Sequence, residues 1–294
     1  MRGLRRSVYF LALLSSSCLW GNFVGALDGA RAASGVTWRS DEGDAREGLS
    51  GSKWGRLKKV TVLVLGDASF RRDSRWMVDV TRIFMDVNLS FREAIDIRFV
   101  VISYDYWDSS SSAGSQPSLA PRTIPSLRPL LPALGRYGDR SRRGLPVVNG
   151  PDRVGRRRPD IVCGLVPEGP EGPVNPGAAD YLNGLIILKY LKKQNGMSFV
   201  LLHELCHLFG AIDLKEGGSV MSLHRPAFRI DAFTRDIMRI NRERSFRPGE
   251  CPLDEDGLVQ AISLYGRRQS RGLGEDELGV CLKTLKAKLV ALRR

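Results

Sequence analysis

The segment Phe199–Met221, "FVLLHELCHLFGAIDLKEGGSVM", contains two of the three histidines in this 294-residue chain. His203 and His207 are four residues apart, and four residues advance a helix by about 400°, so both imidazoles project from nearly the same face. Two imidazoles one turn apart can bind a single metal ion. Glu204 lies beside the first histidine, where its carboxylate can take a proton from a water that the metal activates. The pattern therefore predicts metal-dependent hydrolysis.

A catalytic zinc site needs a third protein ligand and an open position for water. Gly210 predicts the end of the helix, because glycine adopts the left-handed backbone that turns a chain back sharply. Asp213 is the next side chain with ligand capacity, so we predict a site of two imidazole nitrogens and one carboxylate oxygen around one Zn²⁺. His224 and Glu216 are the alternatives for the third ligand, and His224 is also a candidate accessory residue of the cleft.

The stretch "HELCHLFGAID" resembles the H-E-x-x-H-x-x-G-x-x-H/D signature of metzincin metallopeptidases, with an aspartate in third place as in the snapalysin type. The stretch "GSVMS" is similar to the Met-turn of the same family, which implies that Met221 forms an apolar floor under the metal ligands. Leu223 stands where some metzincin families have a tyrosine. The resemblance extends over about Lys58–Phe246 and implies a zinc endopeptidase with a matrixin-like order of strands and helices.

Hydrophobic periodicity predicts the elements that position this motif. The runs "KKVTVLVLGDASF" and "IDIRFVVISYDYW" are typical of buried strands, and "SRWMVDVTRIFMDVNLSFREA" between them repeats apolar residues at helical spacing. A strand, a helix and a strand in succession predict a right-handed crossover between parallel strands. Further strands are predicted in "DIVCGLV", "AADYL" and "GLIILKY", followed by the motif helix "MSFVLLHELCHLFG". We predict an α+β fold: a metzincin-like mixed, mostly parallel twisted sheet, an active-site helix and a helical C-terminal subdomain.

Composition divides the chain into four segments. Residues 1–32 read as a signal peptide, because the basic "MRGLRR" is followed by a short apolar run and small-residue sites. Residues 33–55 are rich in Gly and Ser and predict a flexible leader. Residues 56–250 would form the catalytic domain, and 251–294 a C-terminal helical extension. Residues 108–159 are rich in Ser, Pro and Arg and predict a long loop insertion in the catalytic domain, mostly disordered.

The N-terminal pattern predicts an exported protein, secreted or periplasmic, with no transmembrane span after the signal is removed. Cleavage after Ala26 or after Ala32 fits the small-residue pattern, and Ala32 is the preferred site. Cys18 follows "LSSS", which leaves a lipid anchor as the weaker alternative. Four cysteines remain in the mature chain, and an even number in an exported protein permits disulfides. Cys251 and Cys281 flank the same C-terminal segment and are the predicted pair.

The formal net charge of +13 permits an anionic partner, but no basic run is interleaved with aromatic residues, so nucleic acid is not an expected partner.

The leading hypothesis is an exported zinc endopeptidase in which Glu204 is the general base and a protein or peptide substrate extends along the strand Ala178–Leu182. The alternative is a non-peptidase zinc-binding module of the cell envelope, in which His224 closes the fourth position of a structural metal. The sequence does not predict an oligomeric state.

Overall fold

The computed structural model describes residues 57–109, 127–144, 159–167, 176–190, 194–223, 225–246, 250–270 and 276–293. The predicted signal peptide, the predicted leader and His224 lie outside these ranges, as do residues 110–126 and 145–158 of the predicted insertion. The predicted domain boundaries therefore stay predictions. Within the ranges above, no helix combines the length and the hydropathy that a membrane span requires.

Five strands form one sheet in the order β2-β1-β3-β5-β4. Parallel pairs join β1 to β2, β1 to β3 and β3 to β5, whereas β4 runs antiparallel to β5 at one edge. The central strands β1 and β3 are covered on both faces, which explains why their sequences are continuous apolar runs. The prediction of a mixed, mostly parallel sheet in an α+β fold is confirmed. The strand bounds are β1 Lys58–Asp67, β2 Ile97–Trp107, β3 Ile161–Pro167, β4 Gly177–Asp180 and β5 Leu185–Tyr190.

The described part of the chain contains six α-helices, which lie on both sides of the sheet. Alternate residues of β1 point to opposite faces, so Val62 and Val64 join α1 and α3 in the main core, while Leu63 and Leu65 join α2 in a second core. Residues of α5 and α6 also belong to the main core. The helix bounds are α1 Arg75–Ile95, α2 Leu131–Gly144, α3 Gln194–Leu208, α4 Ala232–Ile240, α5 Glu255–Ser270 and α6 Asp276–Leu292.

Helix α2 is the main difference from the prediction, since it lies in the segment 108–159 that the sequence analysis assigned to a loop. Leu130 and Leu134 are buried, and together with neighbouring apolar residues they cover the second face of the sheet. A Cβ atom on Gly164 of β3 would lie 2.6 Å from Leu134 Cδ1, so glycine allows this helix to approach the sheet closely. The short apolar cluster "LRPLLPALG" marks the helix, but its prolines obscured the helical period.

The predicted disulfide between Cys251 and Cys281 is not present. Neither residue is disulfide-bonded, and each side chain is half-buried against the main core. Cys163 and Cys206 are fully buried thiols within that core. Cys163 and Cys206 therefore behave as small apolar residues.

Asp231 ends the loop after the motif and is the N-cap of helix α4. Its Oδ1 accepts a hydrogen bond from Thr234 N at 2.9 Å, and its Oδ2 accepts bonds from Thr234 Oγ1 at 2.6 Å and Ser219 Oγ at 2.5 Å. Burial raises the pKa of Asp231, but these hydrogen bonds outweigh burial and hold the pKa below its usual value. The carboxylate therefore both caps the helix and ties it to the loop.

We expect Asp231→Ala to lower the free energy of unfolding by about 1–2 kcal/mol at pH 7, the usual cost of a lost N-cap. Because the folded pKa is depressed, the charged cap contributes its full stability above the unfolded pKa of about 3.9, and that contribution is lost as the pH falls through the folded pKa. Urea unfolding of both proteins at pH 7 and pH 3 checks this. The stability difference should narrow at pH 3, and an equal difference at both values would contradict the charged-cap interpretation.

Candidate metal centre

Helix α3 is apolar almost all round, so it lies buried in the main core, where it packs against strands β4 and β5 and against helix α1. It carries the motif side chains inward, where His203, Glu204 and His207 are 5%, 6% and 8% exposed. The helix gives way to a turn at Gly210, whose φ of +86° is the left-handed conformation predicted for this glycine. Gly210 N donates to His207 O at 2.9 Å, so the chain turns back directly after the second histidine.

Backbone carbonyls fix the tautomers of both histidines. His203 Nδ1 lies 2.9 Å from Val220 O, and His207 Nδ1 lies 2.9 Å from Ala211 O. A carbonyl oxygen can only accept a hydrogen bond, so each Nδ1 must carry the proton. In the neutral imidazole the lone pair is then on Nε2, directed at the centre of the site, as required of a metal ligand.

Three ligand atoms converge in this centre. The Nε2 atoms of His203 and His207 are 3.0 Å apart, and Asp213 Oδ1 lies 3.3 Å and 3.5 Å from them respectively. Two ligands at about 2.0–2.1 Å from a tetrahedral zinc ion are separated by about 3.3–3.4 Å, so the two distances to Asp213 match such an ion and the two Nε2 atoms need to separate by only about 0.3–0.4 Å. No other group of three or more His, Cys, Asp or Glu side chains with this geometry occurs in the part of the chain that the structure covers.

Asp213 has the character of a ligand that requires a cation. Its side chain is 3% exposed, and within the described ranges its Oδ1 accepts no hydrogen bond of good geometry. Burial raises the pKa of Asp213, but the two imidazoles lower it more, so the pKa lies well below its usual value. A buried carboxylate oxygen that faces two nitrogen lone pairs is costly unless a cation or a proton joins them, and the donor set therefore fits a metal ion.

The same carboxylate acts on His207. Burial lowers the pKa of His207, but the carboxylates of Asp213 and Glu204 outweigh burial and raise it to about 9. For Glu204, burial is the largest effect and raises the pKa above its usual value. The imidazoles and Arg128 oppose that shift in part. The site thus concentrates carboxylates and imidazoles in a buried volume.

Glu204 lies against the edge strand β4. A Cβ atom on Gly177, the first residue of β4, would lie 2.5 Å from Glu204 Oε1 and 2.7 Å from its Cγ. Only glycine therefore lets β4 approach the carboxylate this closely. The sequence analysis missed this contact, although "NPGAAD" shows a glycine where a strand begins.

Gly177→Ala should displace the Glu204 carboxylate while leaving His203, His207 and Asp213 in place. A displacement of about 1 Å in a catalytic group can cost on the order of 100-fold in rate, so the hydrolysis that the motif predicts should fall about 10- to 100-fold while metal binding is unchanged. Gly266→Ala is the matched control, because a Cβ there meets no atom within 4 Å and the position lies in helix α5. Equal activity of the two variants would refute the packing argument.

The loop of the predicted Met-turn forms hydrogen bonds with His203 and with the residue that follows Asp213. Met221 is fully buried in the main core, and its carbonyl oxygen accepts a hydrogen bond from Leu214 N at 2.8 Å. Val220, one residue earlier, provides the carbonyl that orients His203. One turn of chain therefore holds a histidine and the residue that follows Asp213, a role of the main chain that side-chain patterns do not reveal.

The alternatives to Asp213 differ in their placement. Glu216 is half-exposed and forms an ion pair with Arg268 at 2.8 Å, so it is directed to helix α5 and not into the triad. His224 lies outside the described residues, and its predicted accessory role stays a prediction. Among the residues that the structure describes, the carboxylate at the centre is that of Asp213.

The fold and the site together define an α+β protein with a buried His-His-Asp group that can hold a metal ion. No protein-family model matches the sequence, and no curated protein matches it.

Two similar solved structures are distant. One is described as "Structure of a chaperone-substrate complex" and has a TM-score of 0.42 and 12% identity over 71% of this chain and 33% of that chain. The other is metalloproteinase-II from Bacteroides fragilis, with a TM-score of 0.37 and 15% identity over 62% of this chain and 52% of that chain. This chain therefore spans about a third and about half of these two proteins.

Proposed function

We propose that this chain is an exported zinc-dependent endopeptidase. The observation that carries the proposal is the convergence of His203 Nε2, His207 Nε2 and Asp213 Oδ1 within 3.0–3.5 Å of one another. The two histidines lie on helix α3, which also buries Glu204 beside them, and Asp213 lies in the loop that follows. Three protein ligands of this kind leave a fourth position open for water, which distinguishes a catalytic zinc site from a structural one.

The proposed roles follow from the chemistry of each side chain. The two imidazoles and the Asp213 carboxylate would hold the ion, and a bound zinc would supply the Lewis acidity that polarises a peptide carbonyl and lowers the pKa of water. Glu204 would take the proton of the attacking water and pass it to the leaving amine. Met221 would support the ligands from the core.

The edge strand β4 is the proposed substrate platform. Its partner on one side is β5, and no described strand pairs with its other side. An extended peptide could therefore add to this edge through main-chain hydrogen bonds. Because Gly177 contacts Glu204, a peptide on β4 would pass the proposed general base, which supports the predicted platform at Ala178–Leu182.

The test is elemental analysis of the purified mature chain, followed by hydrolysis of casein and of generic peptides. We expect about one zinc per chain, hydrolysis that a chelator abolishes, and recovery of activity when zinc is restored. Mass spectrometry of the products should show internal cleavage, which distinguishes an endopeptidase from an exopeptidase. A mature N-terminus directly after Ala32 would support export and cleavage at the predicted site.

Zinc without hydrolysis of any peptide would contradict the proposal and favour the structural-metal alternative. His224→Ala then decides that alternative, because loss of zinc in this variant would identify a closed fourth position. A chain that binds no zinc would refute both the proposed peptidase and the structural-metal alternative.

A further inference from the structure

Arg244 is a buried cation between the active-site helix and the edge strand. Arg244 is 3% exposed. Its guanidinium carbon lies 4.2 Å from the ring centre of Tyr181 and 4.6 Å from that of Phe246. The two ends of the guanidinium fork donate to main-chain oxygens, Nη1 to Leu208 O and Nη2 to Tyr181 O. Leu208 is the last residue of α3, and Tyr181 directly follows β4.

The hydrogen bond from Arg244 to Leu208 O caps the C-terminus of helix α3. The last turn of a helix leaves carbonyl oxygens without an amide partner inside the helix. Here Cys206 O and His207 O accept bonds from the backbone of the following turn, Leu208 O accepts from Arg244, and Gly210 O accepts from Tyr265 Oη. A positive charge at a helix C-terminus is also favourable. The turn that leads to Asp213 is thus held from outside the motif.

The second contact fastens the end of β4. Tyr181 Oη donates to Asn241 Oδ1 at 2.7 Å, and Asn241 Nδ2 donates to Ile237 O in helix α4 at 2.9 Å. The turn after β4 is therefore tied to α4 by Tyr181 and to α3 by Arg244. Because β4 and α3 also carry Gly177 and Glu204, which are in contact, Arg244 lies at the far end of the same pair of elements.

We propose that Arg244 is a positioning residue that sets the spacing between α3 and β4, and with it the width of the proposed substrate site beside Glu204. A single planar fork donates to both elements at once, which the single ammonium group of a lysine cannot reproduce with the same geometry. The effect on catalysis rests on the proposed function, whereas the clamp between α3 and β4 is independent of it.

The experiment compares Arg244→Lys with Arg242→Lys as the matched control. Arg242 is also buried, at 7% exposure, but its Nε donates at 2.8 Å to Ile95 O at the end of α1, away from α3 and β4. Three properties are measured in each variant. The first is the affinity for Co²⁺, used in place of zinc, together with the visible spectrum of the bound ion. The others are the amide hydrogen exchange of peptides that cover residues 177–190, and KM and kcat on the best peptide substrate.

For Arg244→Lys we expect cobalt to bind within a few-fold of the original affinity, with exchange in residues 177–190 faster by about tenfold. KM should rise about tenfold while kcat changes little, because loosening β4 weakens substrate binding in the ground state and the transition state alike. Arg242→Lys should leave all three quantities unchanged, even if its melting temperature falls equally. Equal exchange of residues 177–190 in the two variants would overturn the proposal.

A measurement on the unchanged protein covers the case in which Arg244→Lys does not fold. Native-state exchange at low urea should show residues 177–190 and 205–211 opening as one cooperative unit, and independent opening would overturn the clamp. The cobalt and exchange measurements need no substrate. A chain that hydrolyses no peptide would therefore refute the proposed function while the exchange data still decide the role of Arg244.

Discussion

Glu204→Gln is expected to retain one zinc per chain and to lose about 10²- to 10⁴-fold in peptide hydrolysis, the contribution usually made by general acid-base catalysis. Glutamine has nearly the shape of glutamate, so it should occupy the same buried space against Gly177. Its amide cannot take a proton from water, and none of the three proposed ligands is altered. Zinc content by elemental analysis and single-turnover hydrolysis measure the two properties separately.

Glu204→Ala is the companion variant, because it removes the carboxylate without placing an amide beside the ligands. Both variants should lose hydrolysis to a similar extent if the carboxylate acts as a base. Turnover that is unchanged in either variant would rule out Glu204 as the general base. Loss of zinc in the glutamine variant would instead show that Glu204 is needed to bind the metal.

Asp213→Ala is expected to lose zinc, with an affinity lower by on the order of 100-fold or more. Replacing a residue that only hydrogen-bonds to a metal ligand already costs about 10- to 100-fold in metal affinity. The loss of a ligand itself should therefore cost at least as much. Within the described ranges, Asp213 Oδ1 is the carboxylate oxygen that lies close to both Nε2 atoms, at 3.3 Å and 3.5 Å. Competition with a chromogenic chelator measures the affinity.

Glu216→Gln is the matched control for this variant. Glu216 lies in the same loop and was an alternative third ligand, but its carboxylate pairs with Arg268 at 2.8 Å. We expect the glutamine variant to bind zinc normally and to lose at most the modest stability of a half-exposed ion pair. The opposite result, with zinc lost from Glu216→Gln and retained by Asp213→Ala, would exchange the two assignments.

Local patterns predicted the elements that carry the motif. The apolar content of α3 and the stop at Gly210 depend on residues within a few positions of one another, so local composition and capping rules suffice to find them. Helix α2 was missed because its Pro and Gly content disrupts the local signal. Its stability depends on contacts with β1, β3 and β5, which are far away in the chain.

The type and spacing of the metal-ligand candidates follow from the sequence alone, because two histidines and a glutamate lie within five consecutive helical positions. Which loop carboxylate faces them depends on the tertiary structure, since Asp213 and Glu216 are three residues apart and turn to different partners. It also decided the contact of Gly177 with Glu204 and the carbonyls that Arg244 joins. These contacts link segments that are distant in the chain, and packing of the sheet against α3 brings them together.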